Sequence, residues 1–328
     1  MLNNVTLSII IVNFETPEYT LQCIGSIEKN KPSFAFEIIL IDNGSRDGSL
    51  DVIRQAAPQV ISIEAGENLG FARANNLGIN NARGEFILLL NSDTKILDNA
   101  LEWMVKDLES DISLGAIGPR QIDGEEKLQL SWGSFPTFTT ELFRKVLHYR
   151  LSLNDFKIRD YLETKYNGKN EVDWVSGSCL MARRAALFDA GLLDAHFFMY
   201  FEDIDLCTRM KRKGWKIRFD SNITIVHYGG ISAKKNILNI LVEYRHSQIY
   251  FTRKYYGLRG VLALKGLLLI KNSLNFARWA AAFFSDKTLG RNAERNFAKL
   301  LLSKKTLELI FRKEARFSGL EVPTPGCD

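Results

Sequence analysis

The sequence predicts an α/β fold: a Rossmann-like, mainly parallel sheet with helices on both faces, plus a C-terminal helical region. Three observations point there. Near-continuous β-branched and leucine runs recur through the first 120 residues, as strands buried on both faces require. Stretches of helical spacing separate these runs, the pattern of parallel strands joined by crossover helices. Polar clusters follow the apolar runs, at the strand ends where doubly wound sheets bind ligands.

The elements follow in order. LSIIIVNF (7–14), FEIILID (36–42), VISIEA (60–65), FILLLNSD (86–93) and LGAIGP (114–119) read as strands. Helical spacing covers Pro17–Lys29, Gly48–Ala57, Phe71–Ala82 and Asn99–Leu108. Pro17 suits a first helical turn and Asp98 a cap. A hairpin is expected around Asp123-Gly124, then a helical excursion over 139–165 and a strand in WVSGSCLMARR (174–184). A helix from about Glu202 to Lys213 stops at Gly214, and two short strands, WKIRF and ITIVHY, come next. Beyond Gly230 the pattern is helical to about residue 315.

The 328 residues carry 43 Lys and Arg against 38 Asp and Glu. The balance is uneven: residues 231–328 hold 18 basic and 7 acidic side chains, a net of +11. A basic tail on a mildly acidic body suggests an anionic membrane surface or a solvated helical face. In LRGVLALKGLLLIKNSLNFARWAAAFF (258–284), Lys265, Lys271, Asn272, Asn275 and Arg278 gather on one side of a helix. The charges rule out a bilayer span, leaving surface docking or a homodimer contact as readings. Nucleic acid is not expected, since no recognised binding fold interleaves the basic residues. Cys23, Cys179, Cys207 and Cys327 form no CxxC pair, so a reducing cytoplasm is expected. MLNNVTLSIIIVNF lacks a basic leader and reads as a first core strand, not a signal peptide.

Candidate ligand groups sit at the strand ends: Asn13 and Glu15, then Asp42 and Asn43, then Asn91, Ser92 and Asp93. NFETPEY after the first strand has no glycine, so a GxGxxG fingerprint is absent, and no GxxxxGK[ST] loop occurs. A diphosphate would then rely on a divalent metal held by acids, with Asp93 the best ligand. Asp42 is placed to accept the N–H of a pyrimidine ring. A nucleotidyltransferase would be expected to carry a Gly-rich basic loop after the first strand, which is missing here.

The ordered series IIIVNF, IDNGSRDGS, ENLGFARANNLGINNARGEFILLLNSD, VSGSCLMARR, FFMYFEDIDLCTRMKRKGW and HYGG resembles family 2 glycosyltransferases of the GT-A fold, in particular bacterial rhamnosyltransferase-type enzymes of cell-surface polysaccharide synthesis. The resemblance covers roughly residues 5–255. It implies a donor-binding half in residues 1–120, an acceptor-binding and catalytic half in 121–230, and an appended basic region in 231–328. It implies further that Asp42 meets the donor base, with Asn13 and Glu15 nearby, and that Asn91-Ser92-Asp93 stands at the DxD-type motif. The Asn at its first position removes one charge and leaves ribose or water-mediated metal contact as its role. Gly70, Arg73 and Asn76 would line the donor site, and Gly70 opens a helix whose N-terminus would face phosphate or merely complete a loop. Glu202-Asp203 matches the ED motif, with Asp203 the catalytic base, kept ionised by the helix N-terminus; a plain N-cap is the alternative. His227 would complete the Mg or Mn site or contact the diphosphate, and a structural role is open too. Trp174 and Gly177 match the acceptor side, Trp174 as an aromatic platform or as core. His148, His196 and His246 carry no motif.

The expected activity is an inverting hexosyl transfer, plausibly of L-rhamnose from dTDP-L-rhamnose, to a saccharide or polyprenyl-diphosphate-linked saccharide. UDP-hexose or UDP-galactofuranose donors, and a non-catalytic nucleotide-sugar-binding protein, are the alternatives. The enzyme would be cytoplasmic and peripheral on the inner membrane face.

Overall fold

The structure is a computed structural model that describes residues 5–229 and 237–289, together with positions 304 and 308. The chain divides into two compact units, residues 1–235 and 236–328.

The first unit is built on one large sheet. Four apolar runs become β1 (Leu7–Asn13), β2 (Phe36–Asp42), β3 (Ile61–Glu64) and β4 (Phe86–Asn91). They lie in the order β3-β2-β1-β4, all parallel. The crossovers are α1 (Pro17–Lys29), α2 (Ser49–Ala56) and α3 (Gly70–Asn81). Pro17 occupies the first turn of α1, as expected. The Asp98 cap is not formed: the N-cap of α4 (Ala100–Ser110) is Asn99, and it makes no side-chain cap bond. Ile9, Ile11, Leu88 and Leu90 are wholly or almost wholly buried in a core shared with Ile24, Ile27 and Met104 of the flanking helices. Truncating one such side chain to Ala would cost about 2–5 kcal/mol.

The sheet continues beyond β4 through β11 (Cys179–Arg183), which is antiparallel to β4 and to β6 (Leu114–Ile122). Beyond β6 lies β12 (Lys216–His227), parallel to it. The two strands expected at 216–227 are therefore one. WKIRF and ITIVHY join across a register shift between Asp220 and Thr224, a bulge that keeps both halves paired to β6. The edge is β5 (Thr94–Ile96), antiparallel to the end of β12; three residues were too few to read as a strand from sequence.

The expected hairpin forms where β6 turns into β7 (Leu128–Gln129). The Asp123 carboxylate closes it by accepting the Glu125 and Lys127 amides. The expected strand at 174–184 is interrupted. Its start, β10 (Trp174–Val175), pairs with β8 (Trp132–Gly133) in a separate two-stranded sheet. The helical excursion is two helices, α5 (Phe138–Ser152) and α6 (Phe156–Lys165), followed by β9 (Lys169–Glu171) paired to β12. After β11 come α7 (Arg184–Asp189) and α8 (Glu202–Arg212).

In the second unit, α9 (Ile237–Leu289) is broken at Gly257, whose φ of 61° and ψ of −163° are not helical. The polar face expected here is mixed. Asn272 is buried and donates to the Leu268 carbonyl at 2.7 Å, whereas Leu262, Ile270 and Leu274 are exposed. A lone polar stripe does not decide which side of a helix packs. No described helix is long and apolar enough to cross a membrane. The expected continuation to about residue 315, and Cys327, lie outside the described residues apart from positions 304 and 308.

Candidate active site

Sheet register brings the strand-end clusters together. Asn13 pairs with Asp42 across β1 and β2, and Val12 pairs with Asn91 across β1 and β4. Asn13 is fully buried. Its amide nitrogen donates to Asp42 Oδ1 at 2.9 Å and Ser45 Oγ at 3.1 Å. Its oxygen accepts the Thr20 hydroxyl at 2.9 Å and the Thr16 hydroxyl at 3.4 Å. Two donors and two acceptor sites are the full capacity of an amide, so Asn13 has nothing left for a nucleotide. It positions Asp42, whose other oxygen accepts the Ser45 amide at 3.1 Å. Ser45, which the sequence reading did not single out, also accepts the Glu15 amide at 3.0 Å. Glu15 sits at a φ of 52°, a backbone region costly for a non-glycine residue.

Asn43 ties the second strand end to the start of α3, accepting the Leu69 amide at 2.9 Å and donating to Asn68 Oδ1 at 3.1 Å. The approach is close enough that a Cβ on Gly44, at a φ of 80°, would lie 2.6 Å from the Glu67 carbonyl carbon. The α3 terminus is not an open anion cradle. The Gly70 amide donates to Asn68 Oδ1 at 3.0 Å and the Phe71 amide to the Phe198 carbonyl at 2.6 Å, using two of the orphan donors of a helix start. Gly70 thus serves the turn, with a φ of 78°. Asn76 is likewise committed, exchanging hydrogen bonds with the Leu193 backbone at 2.7 and 3.0 Å. Arg73 stays exposed and unpaired among the described residues.

At the end of β4, Asp93 and His227 meet: Asp93 Oδ1 lies 3.3 Å from His227 Nε2, and Asn91 Nδ2 lies 3.3 Å from the same nitrogen. Ser92 is buried beside Thr16, their hydroxyls 3.5 Å apart. Gln129, from the short strand β7, orients the imidazole. Its Nε2 donates to the His227 carbonyl at 2.7 Å, which turns its Oε1 to His227 Nδ1 at 2.9 Å. An amide oxygen only accepts, so Nδ1 carries a proton, and Nε2, which faces Asp93, is the nitrogen placed for a metal. That is the arrangement a metal-ligating imidazole adopts.

No group of three His, Cys, Asp or Glu arranged for a metal occurs among the described residues. One carboxylate and one imidazole suit a hard cation that takes its remaining oxygens from a diphosphate and water. The donor set therefore fits a divalent ion shared with a ligand.

The catalytic side is organised by the turn between β10 and β11. The Ser178 carbonyl accepts the Asn91 amide at 2.9 Å, and the Gly177 amide donates to Asp203 Oδ2 at 2.9 Å. The Ile204 amide donates to Asp203 Oδ1 at 2.8 Å. A Cβ at 177 would lie 3.2 Å from the Phe71 ring, a tight approach, and 3.5 Å from Asp203 Cβ, an ordinary contact. Asp203 is not an N-cap: Phe201 holds that position, and the preceding backbone is left-handed at Tyr200 and Phe201, with φ of 71° and 70°. Two such residues in succession store strain that aims the acidic pair.

The expectation that the helix terminus keeps Asp203 ionised needs correction. Burial pushes its pKa up, against the Gly177 and Ile204 amides and the more distant Arg144 guanidinium, which favour the charged form. Glu202 is driven well above the usual carboxylate range by burial, then by Asp203 and Asp205. Its Oε2 is buried with no hydrogen-bond partner. Burial thus raises both carboxyls, and Glu202, with Asp203 and Asp205 beside it, the further of the two.

Trp174 is buried at 5% exposure against Gly133, its indole N–H donating to the Ser134 carbonyl at 3.0 Å. It is core and offers no platform to a sugar ring, because the two-stranded sheet covers it.

Comparison with known proteins gives the family and the fold. The model of glycosyl transferase family 2 matches residues 8–188, more than half of the chain. An N-acetylglucosaminyl-diphospho-decaprenol L-rhamnosyltransferase from Mycobacterium tuberculosis is 27% identical over 74% of this chain and 85% of its own length. The low-salt glycan biosynthesis hexosyltransferase Agl10 of Haloferax volcanii is 26% identical over 67% of this chain and 66% of its own length. Among solved structures, GalNAc-T7 with UDP, GalNAc and Mn2+ superposes with a TM-score of 0.51 at 18% identity, covering 69% of this chain and 44% of that one. It shares the fold. With its sheet, its strand-end acids and its ED pair in place, the chain belongs to glycosyl transferase family 2.

Proposed function

We propose that the protein is an inverting, divalent-metal-assisted transferase that moves a sugar, L-rhamnose from dTDP-L-rhamnose, onto a saccharide carried on a polyprenyl diphosphate. The observation that carries this reading is the Asp203 carboxylate, partly accessible and held by two backbone amides on a turn that also grips the DxD-type strand end. The mycobacterial relative supports the choice of sugar and of acceptor.

Each residue then has a stated task. Asp42, oriented by Asn13 and Ser45, receives the base of the nucleotide. Asp93 and His227 would hold a divalent cation, which neutralises the diphosphate oxygens of the donor and so eases their departure. Arg73 adds a positive charge beside the donor. Asp203 accepts the proton of the acceptor hydroxyl while that oxygen forms a bond to the anomeric carbon, on the side opposite the diphosphate. The bond from the anomeric carbon to the diphosphate oxygen breaks, and the nucleoside diphosphate leaves with the electron pair. Burial raises the Glu202 pKa and so disfavours a second negative charge near the base.

The test is a donor screen on the purified protein with a synthetic polyprenyl-diphosphate N-acetylglucosamine acceptor. Turnover with dTDP-L-rhamnose, abolished by EDTA and by Asp203→Asn, is expected. Turnover with UDP-hexoses alone would reject the rhamnosyl reading, and undiminished transfer by the variant would reject Asp203 as base.

A further inference from the structure

Helix α5 carries an apolar stripe that the first unit leaves uncovered. Phe138, Leu142, Val146, Tyr149 and the C-cap Leu153 are between 48% and 67% exposed. At about 100° per residue they fall within a sector of about 80°. The opposite side of the same helix faces inward. Leu147 is buried there, and Arg144, half-buried and paired with Glu141, lies within electrostatic range of the catalytic Asp203. The helix thus has one side toward the site and the other bare. An apolar surface of this size on a folded domain marks an interaction face.

The charges around the stripe indicate what covers it. Lys145 borders it on one edge and is exposed; Arg150, on the other edge, is exposed and paired with Asp155. Phe156, 75% exposed, continues the apolar surface into α6, and Lys157 beside it is exposed and unpaired among the described residues. Apolar residues flanked by cations are the pattern of a helix lying in the plane of an anionic bilayer surface. A two-fold contact between copies of the chain would set these cations against themselves. At 15 residues, α5 is too short to span a bilayer, which takes about 20.

We propose that α5 and the start of α6 dock on a membrane surface bearing anionic lipid headgroups, stripe inward. The inference rests on the reading that the acceptor is polyprenyl-linked. Such an acceptor holds its sugar at the headgroup level, and a docking helix that carries Arg144, within electrostatic range of Asp203, on its other side brings the site near that level. For the basic region after residue 230, surface docking and a homodimer contact are both open readings; the contact inferred here belongs to the first unit.

The experiment uses the full chain and sedimentation with vesicles of phosphatidylcholine, with or without phosphatidylglycerol. The wild type is expected to partition onto the anionic vesicles. Leu142→Gln, Tyr149→Gln and Leu153→Gln combined remove apolar surface at exposed positions, where folding does not depend on them. This variant should lose at least about tenfold in partition while its transfer to a water-soluble, short-chain acceptor stays at the wild-type level. Lys145→Glu with Lys157→Glu should weaken binding to the anionic vesicles selectively, and more so at low salt. Wild-type partition by the triple variant would overturn the proposal and place the contact in the second unit. So would failure of the wild type to partition, or a wild-type dimer in sedimentation velocity that the triple variant converts to monomer. Vesicle binding without transfer from any nucleotide sugar would instead reject the proposed function and leave the docking surface standing.

Discussion

The Gly177 amide donates to Asp203 Oδ2 at 2.9 Å, and this bond joins two segments 26 residues apart. It places the candidate base one residue along from Ser178, whose carbonyl receives the Asn91 amide. Donor end and base therefore share one turn, so the distance between them is set by backbone geometry and not by flexible side chains. Such positioning is what a bimolecular transfer needs from its enzyme.

Replacing Asp203 with Asn keeps the shape and one of the two backbone hydrogen bonds, since the amide NH2 cannot accept the other, and removes the proton acceptor. Transfer should fall by about 100- to 10,000-fold, while donor affinity from isothermal titration stays within about twofold of wild type. The wild-type rate should also decline toward acid along a limb displaced above the ordinary aspartate value of 3.8, because burial raises the Asp203 pKa and only the ionised form accepts a proton. A limb at or below that value would contradict the assignment.

Glu202 leaves a stability signature. Its folded pKa is raised above the unfolded value near 4.5, so the native state binds more protons than the unfolded state between the two. The contribution is fully present below the unfolded value and is lost as pH rises through the folded one. Glu202→Gln cannot ionise, so its melting temperature should gain on wild type as pH rises from about 5 to about 8. A constant difference across that range in scanning calorimetry would mean Glu202 is ionised in the native protein.

Gln129 orients His227 through both ends of its amide. Gln129→Leu removes the acceptor at Nδ1 and frees the tautomer, so Mn2+ affinity in the presence of nucleoside diphosphate should drop by about 10- to 100-fold. Isothermal titration measures this directly. Gln129→Glu, which still accepts the Nδ1 proton, should retain most of the affinity; equal loss in both variants would indicate a collapsed hairpin instead.

Asn13 and Gly44 should report on stability before activity. Asn13→Ala leaves Asp42, Thr20 and Ser45 without their shared partner and should cost about 2–3 kcal/mol in denaturant unfolding. Gly44→Ala puts a Cβ 2.6 Å from the Glu67 carbonyl carbon at a φ of 80° and should cost at least about 1–3 kcal/mol. Were Asn13 a direct donor contact, its variant would lose donor affinity at unchanged stability.

Most of the fold was legible in the chain. Apolar runs long enough for doubly buried strands, spaced by helical segments, specify a parallel α/β sheet because nothing else buries them. The strand-end acids Asp42 and Asp93 were legible for the same reason: a strand that stops at a polar residue delivers that residue to the sheet edge. The ordered motifs, running from IIIVNF to HYGG, identified the family. Where sequence reasoning erred, the partner lay far along the chain. Asn13 and Asn76 looked like ligands until their amides proved to be saturated by Thr20, Ser45 or the Leu193 backbone. Trp174 looked like a platform until β8 covered it. Gln129 carried no signal at all, since its contact with His227 spans 98 residues. Residue type and local pattern thus determined which groups arrive at the sheet edge. Tertiary structure alone decided which of them still had a free hydrogen bond, a charge or an open face on arrival, because those depend on neighbours that no local period encodes.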